Sequence, residues 1–132
     1  MELMGDSAAI LGMLATDPAW QDTQVVYVSR TEHDDWAEEL LRIQVVEGTG
    51  GQTMQDISST DLNQIYPDTK TVHFGKIHAV SGGIPYSDML FFDNEYRNIR
   101  DVSSLGVVSI HTPDGMTMAR WEEGLAAFAA AR

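Results

Sequence analysis

The chain has 132 residues, 43% of them hydrophobic, no cysteine, and a formal net charge of −12 with a pI of about 4.4. That length suits one domain with a real core, and the missing cysteines exclude disulfides and thiolate metal sites and fit a reducing compartment. The acidic balance argues against nonspecific nucleic-acid or anionic-membrane binding, which needs clustered Lys and Arg.

The opening Met1-Glu2-Leu3-Met4-Gly5-Asp6 has no basic segment and no long apolar run, so it does not read as a secretory signal. Apolar stretches elsewhere are only a few residues long, too short to span a membrane as a helix. The expectation is a soluble, cytoplasmic protein.

In chain order, Asp6-Ser7 predicts the cap of a helix through Ala8 to Leu14, ended by Asp17-Pro18. Gln24 to Ser29 reads as a buried strand, apolar and rich in β-branched residues. Thr31 is then expected to cap a helix with Trp36, Leu40, Leu41 and Ile43 on its inner side. Glu47 to Thr53 is a Gly- and Thr-rich loop that lacks the Lys-Ser/Thr and helix of a P-loop.

Met54 to Pro67 is polar and gives little signal. A helix is predicted from about Thr71 to Val80, stopped by Gly82-Gly83 and Pro85, then a strand from Asp88 to Asp93. A helix from Glu95 to about Leu105 ends at Gly106, Val107 to His111 is a third strand, and Met116 to Ala130 is a final helix carrying Trp121, Leu125 and Phe128. Strands alternating with helices predict an α/β fold with a parallel sheet.

Polar residues gather at three element edges. Ser29, with Arg30 and Thr31, ends a strand and begins a helix, so it either caps that helix or offers a hydroxyl and free amides to an anion. Lys70 sits before a helix, where it is either a solvated surface group or a counter-charge for phosphate. Asp93-Asn94-Glu95 ends a strand, where it either caps the next helix or supplies oxygen ligands of the kind Mg²⁺ takes. His33, His73, His78 and His111 show no zinc-ligand spacing.

Taken in order, Val28-Ser29-Arg30-Thr31, Tyr66-Pro67-Asp68-Thr69-Lys70-Thr71-Val72-His73-Phe74, Phe91-Phe92-Asp93-Asn94-Glu95-Tyr96-Arg97-Asn98-Ile99, Leu105-Gly106-Val107 and Ile110-His111-Thr112-Pro113-Asp114-Gly115-Met116 resemble the magnesium-dependent phosphatase family of the haloacid dehalogenase superfamily. The similarity runs from about Ile10 to the C-terminus, with a longer insertion around Glu47 to Asp61. It implies a Rossmann-like three-layer sandwich with a mostly parallel sheet, and a Mg²⁺-dependent phosphomonoesterase working through an aspartyl-phosphate. It also implies site roles. Ser29 would donate its hydroxyl to a phosphoryl oxygen beside the Arg30 amide, Lys70 would balance charge, Asp93 and Asn94 would hold Mg²⁺, and Arg97 and Asn98 would support them.

Two departures modify that expectation. The family pairs two aspartates where this chain has Asp93-Asn94, which removes one negative charge from the metal site. The family also opens with an Asp-x-Asp-x-Thr strand carrying the nucleophile and the general acid/base, and neither Asp6-Ser7 nor Asp17-Pro18 matches it. Residues 1–132 are therefore expected to form one haloacid dehalogenase-like domain, truncated at the N-terminus and missing its first central strand. The expected activity is phosphomonoester hydrolysis, weak or absent in this chain, with Mg²⁺ binding weakened or lost. A non-catalytic, phosphate-binding pseudophosphatase module is the alternative. The expected partner is a phosphorylated small molecule, such as a sugar phosphate, or a phosphotyrosine-bearing protein, with no nucleic acid and no membrane.

Overall fold

A computed structural model of the chain describes residues 6–132, so the reading of Met1 to Gly5 as lacking a leader lies outside the described residues. The elements are α1 (Ser7–Thr16), β1 (Val28–Ser29), α2 (Asp34–Ile43), α3 (Met54–Ile57), β2 (Gln64–Ile65), α4 (Lys70–Val80), β3 (Leu90–Asp93), α5 (Tyr96–Ser103), β4 (Val108–His111) and α6 (Met118–Ala130). Short 3₁₀ turns stand at Pro18–Trp20, Thr60–Leu62 and Tyr86–Asp88. None of the described helices is long and apolar enough to cross a membrane.

The strands form two separate parallel pairs. β1 lies beside β2, with Val28 opposite Gln64 and Ser29 opposite Ile65. β3 lies beside β4, from Leu90 opposite Val108 to Asp93 opposite His111. Among the described residues no ladder joins the two pairs. The predicted strand from Gln24 shrinks to Val28–Ser29 plus one bridge from Val25 to Ser58, because β1 has a neighbour on one edge only. The polar stretch before Pro67 conceals β2, whose Gln64 and Ile65 are both buried.

Alternation along β3 assigns its two faces. Phe91 joins Phe74 and Ile77 of α4, Ile99 and Val102 of α5, and Val107 in the main apolar cluster, with the Phe74 and Phe91 rings edge to face at 5.0 Å. Phe92 points the other way, to Trp121 of α6 with ring centroids 5.7 Å apart. Gly124 lets α6 approach that closely, since a Cβ there would lie 2.5 Å from Phe92 Cζ. Burial of these aromatic and aliphatic groups drives the assembly, at about 25 cal/mol per Å² of apolar surface.

Three local expectations fail. Asp6 precedes α1, but its carboxylate makes no cap bond there and instead accepts the Met118 amide at 2.7 Å, tying it to the start of α6, which Thr117 caps. Thr31 does not cap α2 either. Its hydroxyl accepts the His33 amide at 3.0 Å in a turn, and the helix begins at Asp34. α2 sits against α3 and β2 and its half-buried residues are Ala37 and Leu41. Trp36, Leu40 and Ile43, expected inside, are 65%, 37% and 55% exposed.

Candidate functional site

The gap between the two strand pairs is a cleft of about 1110 Å³ whose lining includes Ser29, Arg30, Lys70, Asp93, Asn94 and Asn98. Strand alternation explains how it opens. Tyr27 and Ser29 turn their carbonyls to β2, accepting from Gln64 at 3.0 Å and Tyr66 at 3.1 Å, so Val28 between them directs its own N–H and C=O the other way. Met89 and Asp93 likewise accept from Val108 and Thr112, so Phe92 turns away from β4. Val28 and Phe92 both line the cleft, which is thus flanked by two strand edges without a ladder partner among the described residues.

At the carboxyl ends of β1 and β3 the cleft holds a chain of polar contacts. Lys70, first residue of α4, donates to Asp93 Oδ2, with the lysine side chain 9% and the carboxylate 5% exposed. Asn98 Nδ2 donates to the same oxygen at 3.2 Å, and the Arg30 guanidinium donates to Asn98 Oδ1 at 3.2 Å. The other Asp93 oxygen accepts the Glu95 amide at 2.8 Å, which fixes the turn into α5. One Asp93 oxygen thus shapes the turn before α5, whose cap position is Glu95, and the other is held by Lys70 and Asn98.

A buried lysine needs a partner, because removing an ammonium from water carries a penalty of several kcal/mol. Asp93 supplies it, and the Phe91 ring, 5.3 Å from Lys70 Nζ, adds a cation–π contact. Ser29 is half-buried, and its hydroxyl oxygen accepts the Thr31 amide at 3.3 Å, while its O–H has no acceptor among the described residues. Asn94 is exposed at the rim, and its carbonyl accepts from His111 Nε2 at 3.0 Å.

The structure brings Ser29, Arg30, Lys70, Asp93 and Asn94 into one cleft. Sequence reasoning assigned only the Arg30 amide, whereas here the side chain reaches across the cleft. It also left Asn98 in a supporting role, yet this residue is 2% exposed and bonds both sides. The available signal was spacing: five residues after Asp93, Asn98 falls in the first turn of α5, directly behind the strand end.

Beneath Lys70 on α4 lies His73, fully buried, its Nε2–H donating to the Tyr66 carbonyl at 3.0 Å while Nδ1 has no partner among the described residues. Burial pushes its pKa below 6.5, helped by the Lys70 and Arg30 charges and opposed by the bond to the Tyr66 carbonyl and by Asp68. His73 thus stays neutral and adds no charge to the cleft.

Arg30, Lys70 and Arg97 line this cleft together with Asp93, Glu95 and Asp114, so its formal charges balance, with Lys70 paired to Asp93 and Arg97 to Glu95. An anion with several acceptor oxygens suits these donors. A divalent metal suits them less. Asp93 is the one carboxylate in the network, its oxygens already engage an ammonium and two amides, and no group of three His, Cys, Asp or Glu gathers among the described residues. The donor set fits a phosphoryl group and does not by itself complete a Mg²⁺ site.

A family model described as Acid Phosphatase matches residues 1–131. The human protein named Magnesium-dependent phosphatase 1 is 48% identical over 69 residues, which are 52% of this chain and 39% of that relative. A HAD-like hydrolase superfamily protein of Schizosaccharomyces pombe is 36% identical over 87 residues, 66% of this chain and 49% of the relative. The matched stretches thus span less than half the length of either relative. On the family match over nearly its whole length, the chain belongs to the acid phosphatase family, magnesium-dependent phosphatases of the haloacid dehalogenase superfamily.

Proposed function

We propose that this chain carries the phosphate-binding side of a phosphomonoester hydrolase site. The observation behind the reading is the buried Lys70–Asp93–Asn98–Arg30 chain beside Ser29, at the carboxyl ends of two parallel strands. Ligands of open α/β sheets bind at that edge. In this reading the Ser29 hydroxyl and the Arg30 amide donate to phosphoryl oxygens. Lys70 neutralises charge, and Asn98 holds Arg30 and Asp93 at fixed separation. The substrate class is a phosphorylated small molecule or a phosphoprotein.

Hydrolysis through an aspartyl-phosphate needs a carboxylate nucleophile facing the phosphorus. The sequence contains no Asp-x-Asp, and the only carboxylate of the network is bonded to Lys70. The 132-residue chain is therefore proposed to bind phosphoryl groups without turning them over, as a phosphate-binding pseudophosphatase module does. A strand lying between β1 and β3 would satisfy the open edges at Val28 and Phe92 and convert the two pairs into one parallel sheet. With helices on both faces, that sheet is the Rossmann-like three-layer sandwich, and the chain is then one domain whose central strand is not among the described residues. A hydrolase in which such a strand also brings the nucleophile and completes the Mg²⁺ site is the second reading, favoured by retention of Ser29, Lys70 and Asp93 together. The absence of cysteine suits a cytoplasmic setting.

Titration calorimetry with inorganic phosphate and O-phosphotyrosine tests binding, and release of p-nitrophenol from its phosphate ester tests turnover. Binding lost in Lys70→Met, with no turnover in Mg²⁺, is the expected result. Mg²⁺-dependent turnover abolished by Asp93→Ala would establish the hydrolase reading instead. Failure of the native chain to bind either ligand would remove both.

A further inference from the structure

Two donors of the phosphate reading stand on different elements. Ser29 ends β1 and Lys70 begins α4, and among the described residues no ladder joins the β1–β2 pair to the β3–β4 pair. Lys70 is held on the β3 side by Asp93. Ser29 is held on the β2 side, where its carbonyl accepts the Tyr66 amide at 3.1 Å. The spacing of the two donors therefore depends on how Tyr66 sits against α4. Only Pro67, Asp68 and Thr69 separate Tyr66 from Lys70. Thr69, at the cap position, makes no side-chain cap bond that would set where the helix begins. The Arg30–Asn98 bond crosses the cleft at α5, not at α4.

One side chain ties α4 to this turn. His73, three residues past Lys70, donates Nε2–H to the Tyr66 carbonyl at 3.0 Å, and its ring meets the Tyr66 ring edge to face at 4.3 Å. Tyr66 thus carries two bonds in series, its carbonyl to His73 and its amide to Ser29. They run from the helix that holds Lys70 to the strand that holds Ser29. The tie comes at a cost, because His73 is fully buried and its Nδ1 has no partner among the described residues. A leucine would orphan no polar atom there. What the imidazole adds over an apolar group is the bond to Tyr66.

We propose that His73 is a positioning residue for the cleft: through Tyr66 it fixes the separation of the Ser29 hydroxyl and the Lys70 ammonium that a phosphoryl group spans. His73 itself lies outside the cleft lining and touches no ligand. Donors held in place before the ligand arrives bind it without losing affinity to their own ordering. The inference rests on the phosphate-binding reading of the cleft.

The test is calorimetry with inorganic phosphate on the native chain, His73→Leu and His73→Gln. Glutamine offers an N–H close to the Nε2 position, whereas leucine fills the space without a donor. His73→Leu should bind about tenfold weaker, the loss expected of one misplaced hydrogen bond to a charged ligand, and His73→Gln should stay within about threefold of native. Tm should rank the variants the other way, leucine above glutamine, because glutamine buries its own carbonyl. Exchange of the Tyr66 amide should quicken in His73→Leu and stay native-like in His73→Gln. Phosphate bound by His73→Leu as tightly as by the native chain would overturn the proposal, and so would His73→Gln binding as weakly as His73→Leu. Should neither variant fold, the native chain decides: the His73 Nε2–H resonance must shift as phosphate saturates, and an unshifted signal overturns the proposal. A native chain that binds no phosphate removes the underlying reading, and this inference with it, whatever the variants do.

Discussion

Lys70 and Asp93 lie 23 positions apart in sequence and meet as a buried ion pair, joining the first residue of α4 to the last residue of β3. Neither charge has enough water around it to stand alone. Removing one partner strands the other, and the expected loss is about 3–5 kcal/mol for Lys70→Met or Asp93→Asn. Urea denaturation of the two single variants and of Lys70→Met/Asp93→Leu gives the coupling. The double variant should be more stable than the sum of the single losses implies, and strict additivity would refute the pairing.

Asn98 joins the Arg30 side of the cleft to the Asp93 side. Asn98→Ala leaves both partners short of one hydrogen bond, at about 1–3 kcal/mol of stability. Because Arg30 lies in the loop after β1, the variant should also weaken phosphate binding. A variant that loses stability while binding phosphate as tightly as the native chain would show that the bridge is structural only.

Gly124 faces the Phe92 ring, with no room for a methyl group. Gly124→Ala should gain about 1 kcal/mol of helix propensity and lose about 1–3 kcal/mol to overpacking, for a net lowering of Tm. Combining it with Phe92→Leu, which trims the ring that a Cβ would strike, should recover part of the loss. A Gly124→Ala variant with raised Tm would contradict the close approach of α6.

His73 makes stability depend on pH in a defined direction. Burial lowers its folded pKa below the unfolded value of 6.5, so the unfolded chain takes up the proton first as pH falls. Its effect is absent well above 6.5, and stability declines as pH drops through that value. Between pH 7 and about 5.5, His73→Leu should flatten the fall of Tm with acid. An unchanged slope would mean that carboxylates alone set the profile.

What the sequence revealed follows the range of the forces involved. α4, α5 and α6 were readable because caps, glycines and apolar spacing act within one or two turns. The burial of Lys70 against Asp93 was not, since a lysine beside a turn looks solvated until a carboxylate from a distant strand end is placed against it. The same holds for Gln64 and Ile65, whose two-residue strand is too short to show alternation and forms only because β1 lies alongside. In α2 the pattern set Trp36, Leu40, Leu41 and Ile43 on the inner side, and only Leu41 of them is half-buried. It could not say that the neighbouring stripe of Ala37 and Leu41 would face the core, because both stripes satisfy the same helical period. At the cleft, the motifs placed Ser29, Lys70 and Asp93 in one region, while the Arg30 side chain's reach to Asn98 depends on how the two strand pairs are spaced.

The edges at Val28 and Phe92, without a ladder partner among the described residues, also bear on how the protein behaves in concentrated solution. Open strand edges are templates for sheet growth between molecules. Here they are short, recessed in the cleft, and carried by a chain whose −12 charge keeps neighbours apart. Two of these safeguards are geometric and permanent, and the third is set by the buffer. As pH approaches the pI of about 4.4 the mutual repulsion vanishes, and the colloidal stability of the chain vanishes with it.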